Sequence, residues 1–260
     1  MGKKYELDTS DVKEYYGKKL FRIVAVTSFL AVSTGDKGGY IESEKNLSHD
    51  GNAWVYGNAE VSGNARVSGN ARVYGNARVY GNAWVSDNAW VYGNARIYGN
   101  ARIYGNAEVS GNARVYGNAR VYGNAWVSDN VRVSGDAMVS NNARIYGNAR
   151  IYGNAEVSGN ARVSGNAEVF CDAEVSGNAE VSGNAAVMWI TKIGSSKGTL
   201  TIFKTKDGYS LTRGCFLGSM DQFKDAVSSK SDEDESKKEY ELLIPLIEYR
   251  FNKYITGETK

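Results

Sequence analysis

Between residues 51 and 188 the chain repeats one phrase, G-N-A-x-V-Y/S, for 23 hexads without an insertion or deletion. Within each hexad a small apolar residue, a variable residue and a large apolar residue follow one another. This period-two alternation puts Ala and Val/Ile on one face of a short strand and x on the other. Gly-Asn then supplies a bend, because both residues tolerate positive φ. A three-residue strand with a bend every six residues is neither a helix nor an ordinary hairpin. It is one side of a triangular coil, with three hexads, or 18 residues, in each turn. The pattern predicts an all-β solenoid of parallel strands, with about 7–8 coils stacked at about 4.8 Å and a length on the order of 35 Å. Its two ends expose unpaired strand edges and need caps.

The flanking segments change period and read as those caps. Residues 1–50 form an N-terminal β cap, with an apolar, strand-like run at 18–33 and a segment at 35–50 that leads directly into the first hexad. Residues 189–260 read as a small α+β module, with short strands at 189–194, 199–208 and 209–218. Ser219 is placed to N-cap a helix running through Val227, with Asp221 in its first turn. Residues 228–238 form a charged linker, and 239–255 regain helical periodicity, interrupted by Pro245.

The spacing of a small residue two places before a buried aliphatic one, as in Ala59–Val61 and Ala65–Val67, resembles the hexapeptide-repeat proteins. That resemblance implies a left-handed parallel β-helix. The chain departs from the usual pattern by placing Gly two residues after the aliphatic one. The segments Gly38-Gly39-Tyr40-Ile41-Glu42 and Asn46-Leu47-Ser48, ahead of the first hexad, resemble a bacterial and phage subgroup of these proteins labelled as acyltransferases. The residues around Asp207-Gly208 and Gly214-Cys215-Phe216 are similar to a module of phage-encoded proteins. The resemblance implies an acyl-coenzyme A-dependent transferase as one function and the binding or blocking of a host component as another. Hexapeptide proteins are often trimers, so it also implies self-association as a dimer or trimer.

Composition narrows the chemistry. The chain has 30 Gly against one Pro, two Cys, one His and a net charge of +2, so no global charge argument for nucleic acid arises. Two cysteines make no disulfide framework, and no apolar stretch is long enough to cross a membrane or serve as a signal peptide, so the expectation is a cytoplasmic protein. An acyltransferase of this family would need a histidine base and a loop breaking the coil. His49 precedes the first regular hexad, and no loop interrupts the repeat. A nucleophile–base pair of Cys215 with His49 would have to span opposite ends of the rod, and Cys171 replaces a turn glycine. The expectation is therefore a non-catalytic protein with no cofactor and no metal site.

Every third hexad falls on the same face. The first face presents Trp54, Arg72, Trp90, Glu108, Trp126, Arg144, Arg162 and Glu180, and three outward indoles mark a partner-contact patch at Trp54, Trp90 and Trp126. The second presents Glu60, then Arg78, Arg96, Arg114, Arg132 and Arg150, then Glu168. Beside this column run Tyr80, Tyr98, Tyr116, Ser134, Tyr152 and Phe170. Arg and Tyr interleaved in this way suit phosphates and base stacking. A plainer origin stands beside that reading: the stretch at 69–88 recurs at 111–130, seven hexads on, so duplication without selection for a face could have produced the column. The partner expected first is a host protein; a nucleic acid or a phosphorylated small molecule is the alternative.

Overall fold

The computed structural model describes residues 2–15, 17–183, 187–205, 208–214, 216–231 and 234–255. The repeat forms a parallel β-solenoid with three faces. The first face is an eight-stranded sheet running from the strand at Trp54–Val55 to that at Glu180–Ser182, and the third has seven strands, from Arg66–Val67 to Glu174–Val175. The second continues into the N-terminal cap as a ten-stranded sheet. Each face collects the hexads assigned to it from the 18-residue turn, in register: Arg96 pairs with Arg114, Trp90 with Glu108, Arg102 with Arg120.

The interior is columns of Ala and Val or Ile. Ala95, Ile97, Ala101, Ile103, Ala113 and Val115 have no exposed surface, and the inward-facing residues from Ala53 to Val181 are likewise buried. The glycines opening the hexads sit at positive φ, for instance 71° at Gly117, and an added Cβ there would lie 2.9 Å from the backbone of Gly135 in the next coil. Both conformation and inter-coil spacing therefore call for Gly. Asp87, Asp129, Asn141 and Cys171 take the same left-handed conformation. Two of them have a compensating bond: the Gly105 N–H donates to Asp87 Oδ2 and the Gly147 N–H to Asp129 Oδ2, each at 2.9 Å.

The turn asparagines do more than tolerate the bend. Asn52, Asn70, Asn88, Asn106, Asn124 and Asn142 form one amide ladder, each Nδ2 donating to Oδ1 of the residue 18 positions on, at 2.9–3.1 Å. Similar ladders run along the other corners, as between Asn82 and Asn100 and between Asn94 and Asn112. Stacked amides of this kind add polar stabilisation to the apolar interior.

The N-terminal cap consists of β1 (Tyr5–Tyr15), β2 (Lys18–Ala25) and β3 (Lys37–Ile41). β1 and β2, then β2 and β3, pair antiparallel; β3 then pairs in parallel with the solenoid strand at Glu60, so the open edge of the second sheet is consumed. The apolar run at 18–33 yields a strand only to Ala25, and the alternating, mostly polar residues of β1 pair with it. Arg22 ties the cap together, donating to Asp11 Oδ2 at 3.0 Å and to the Tyr40 hydroxyl at 2.6 Å.

At the other end, four antiparallel strands, Val187–Ile193, Gly198–Thr205, Gly208–Arg213 and Phe216–Ser219, stand where three were expected. They cover the last coil: Phe203 joins the solenoid core, the Glu174 N–H donates to Thr201 Oγ1 at 3.0 Å, and Thr212 Oγ1 donates to the Glu174 carbonyl at 3.2 Å. Ser219 N-caps α1 (Met220–Ser228), accepting from the Gln222 N–H in a capping box. α2 (Glu235–Ile255) begins earlier than expected and runs through Pro245 without a break. The proline removes only the bond to the carbonyl of Glu241, an exposed residue, while Tyr240, Ile247 and Phe251 anchor the helix in the module's own core.

Candidate functional site

The second face carries the arginine column as expected, with Arg78, Arg96, Arg114, Arg132 and Arg150 on five successive parallel strands. Its two ends are neutralised. Arg78 Nε lies 3.0 Å from Glu60 Oε2, and the Arg78 guanidinium donates to the Tyr15 hydroxyl at 3.2 Å and covers that ring at 4.6 Å. Arg150 donates to Glu168 Oε1 at 3.1 Å. Between them Arg96, Arg114 and Arg132 are exposed, and among the described residues none has a carboxylate within 4.0 Å. Guanidiniums on strands about 4.8 Å apart repel by up to about 1 kcal/mol per neighbouring pair after solvent screening, a cost that a bound anion removes.

The tyrosines beside the column form a stack of their own. Tyr80 lies 5.0 Å from Tyr98, and Tyr98 lies 4.9 Å from Tyr116, with the rings within 2° of parallel; Tyr152 stacks on Phe170 at 5.0 Å. Their inner faces are therefore covered by one another, and what the column presents along its length is ring edges and hydroxyls. Burial, and next the neighbouring phenol, pushes the hydroxyls of Tyr80 and Tyr98 above the ordinary tyrosine range, so they remain neutral donors. Ser134 interrupts the stack.

The tryptophan patch needs correction. Trp54 is only 1% exposed and is not part of a contact surface. It occupies the outward position of the first coil, but the N-terminal cap folds over it: Phe29 meets the indole edge-on at 5.4 Å and Tyr5 at 6.1 Å, while Tyr56 of the same hexad flanks it at 6.5 Å. The signal was its place in the first hexad, where an apolar cap must find something to cover. Trp90 and Trp126 are both 37% exposed on the first face, and the third exposed indole, Trp84 at 42%, lies on the third face. Trp90 is braced by Arg72, 5.3 Å over its ring, and by Tyr74.

His49 is built into the N-terminal cap. Its ring stacks on Tyr5 at 4.3 Å and its Nδ1 accepts the Lys4 N–H at 3.1 Å. Cys215 lies outside the described residues, and Cys171 is an exposed free thiol. Among the described residues no three His, Cys, Asp or Glu side chains gather in a way that could hold a metal ion. No helix among them is long and apolar enough to cross a membrane.

The family model described as the YdcK Beta solenoid repeat matches residues 59–75, 71–87, 77–93, 95–111, 101–115, 113–129 and 143–158. These segments lie within the coils and together cover less than half of the chain. The match and the coil geometry agree on a repeat β-solenoid protein, and the match concerns the repeat alone. No curated protein matches the sequence.

Proposed function

We propose that this protein is a non-catalytic binding scaffold whose contact surface is the row Arg96, Arg114 and Arg132, presented to a protein partner rich in carboxylates. The observation that carries the reading is the contrast along one column: acids meet the terminal arginines, and the three between them stay free. Parallel pairing holds the backbone positions of these arginines in fixed register, one coil step apart, so the spacing of the charges is set before a partner arrives. The planar fork of Arg suits carboxylate and phosphate equally. Because Tyr98 is covered on both faces and Tyr80 and Tyr116 on one each, no row of open ring faces is left for successive bases, which favours a protein over a single-stranded nucleic acid. The exposed Trp90 and Trp126 on the adjoining face extend the surface with the aromatic character of protein contacts.

The test is fluorescence anisotropy with labelled poly-L-glutamate and, separately, labelled oligothymidylate. Poly-L-glutamate should bind, weaken as salt is raised, and lose at least about tenfold in affinity in the Arg96→Glu/Arg114→Glu variant. Equal binding by the variant removes the row from consideration, and tighter binding of oligothymidylate replaces the protein partner with a nucleic acid. Calorimetric binding of acetyl-coenzyme A that adenosine monophosphate does not displace would instead support the transferase reading.

A further inference from the structure

The stack of tyrosines on the second face is incomplete at its N-terminal end, and the space it leaves is a cavity. Reading the corner position coil by coil gives Ser62, Tyr80, Tyr98 and Tyr116. Tyr80 stacks on Tyr98 with one ring face, at 5.0 Å. Its other face looks toward Ser62, where a serine stands in the place of a ring. Tyr15, at the end of β1, and Lys18, at the start of β2, line this space from the side. The result is a cavity of about 500 Å³ lined by Tyr15, Lys18, Ser62, Gly63, Tyr80, Gly81 and Arg96. That volume lies within the range of small-molecule sites.

The lining defines the chemistry of an occupant. One coil step separates Ser62 from Tyr80, and the ladder's own rings show that a planar aromatic group fits at that spacing. Gly63 and Gly81 add no side chains to obstruct it. The cation available is Arg96, since Lys18 already pairs with Glu42 at 2.9 Å, and Glu42 in turn accepts the Gly63 N–H at 2.5 Å, which fixes that side as a rim. We infer that this cavity binds a small planar aromatic anion, whose ring continues the Tyr80–Tyr98–Tyr116 stack in the place left by Ser62 while its charged group meets Arg96. The site shares Arg96 with the proposed partner surface but does not rest on it: it would stand if Arg114 and Arg132 bound nothing.

Calorimetry and saturation-transfer NMR on the full chain test this with four probes: adenosine monophosphate, naphthalene-2-sulfonate, adenosine and inorganic phosphate. The two planar anions should bind about tenfold or more tightly than the uncharged ring or the ringless anion. Ser62→Tyr completes the stack with a ring of the protein's own and should abolish binding, while Ser62→Ala retains it. Arg96→Gln should bring adenosine monophosphate down to the level of adenosine and leave adenosine itself unchanged, a readout that a folding defect would not produce. The same Ser62→Tyr protein should still bind poly-L-glutamate, so this site and the arginine row can fail separately. The inference is overturned if neither planar anion binds more tightly than about 10 mM, the weak end of specific recognition, or if Ser62→Tyr leaves their binding unchanged.

Discussion

Trp54 and Trp126 occupy the same position of the repeat on the same face, four coil steps apart, yet the structure gives them different roles. Removing each in turn measures what the N-terminal cap contributes. Trp54 is 1% exposed and Trp126 37%. A fully buried indole removes roughly 150–250 Å² from water, which at about 25 cal/mol per Å² corresponds to about 4–6 kcal/mol as an upper value. Measured aromatic-to-alanine changes in cores run at about 3–5 kcal/mol because the cavity relaxes only in part. Trp54→Ala also strips the edge-on contacts of Tyr5, Phe29 and Tyr56. Trp126→Ala leaves no internal cavity and should cost about 1–2 kcal/mol. The assay is urea denaturation of both variants, with hydrogen exchange to locate the loss. Trp54→Ala should be the more destabilising by about 2 kcal/mol or more, with amides of β1 and β2 exchanging first. Equal costs, or unchanged exchange in the cap, would refute the assignment of Trp54 as the cap's anchor.

Three further outcomes follow from local geometry. Cys171 has φ 55° at a glycine position of the repeat, so Cys171→Gly should stabilise the last coils by about 0.5–1.5 kcal/mol in chemical denaturation, relieving left-handed strain. Asn106 bridges Asn88 and Asn124 at 3.0 Å on each side, so Asn106→Ala should cost about 1–2 kcal/mol and raise amide exchange in the flanking coils. Burial pulls the Lys4 ammonium down to about 8, against the weaker opposing pull of Asp50, while its Nζ donates to the Ala53 carbonyl at 2.8 Å. Because the folded state then holds fewer protons than the unfolded state between pH 8 and 10.5, this group's contribution to cap stability should rise with pH across that window. Thermal unfolding of wild type and Lys4→Met at pH 7.5 and 9.5 checks the sign: the gain with pH should be smaller in the variant.

The parts of the fold that are periodic were legible in the sequence, and the parts that depend on what the ends touch were not. Eighteen residues per turn is enough to assign every outward residue to its face, and Arg96 does lie between Arg78 and Arg114. The asparagine ladders were hidden because Asn is also an ordinary turn residue, and only the coil stacking brings Asn88 and Asn106 within a hydrogen bond. Trp54 was misplaced because position alone says outward and says nothing of a cap folding back. In the same way, Arg78 and Arg150 look like their three neighbours in sequence, and the pairing with Glu60 and Glu168 across strands separates them. The cavity above Tyr80 needs both the stack and the side chains of Tyr15 and Lys18, which approach from more than 60 positions away in the chain.

The contrast within that column separates a contact surface from a row of ordinary surface charges. Two neutralising variants divide it: Arg96→Gln/Arg114→Gln/Arg132→Gln removes the free guanidiniums, and Arg78→Gln/Arg150→Gln removes the paired ones. Anisotropy titration of labelled poly-L-glutamate against both, at two salt concentrations, is the direct measurement. The triple variant should lose binding and its salt dependence, while the double variant should bind within about threefold of wild type. If the two variants lose affinity equally, or neither does, the unpaired row is not the contact surface.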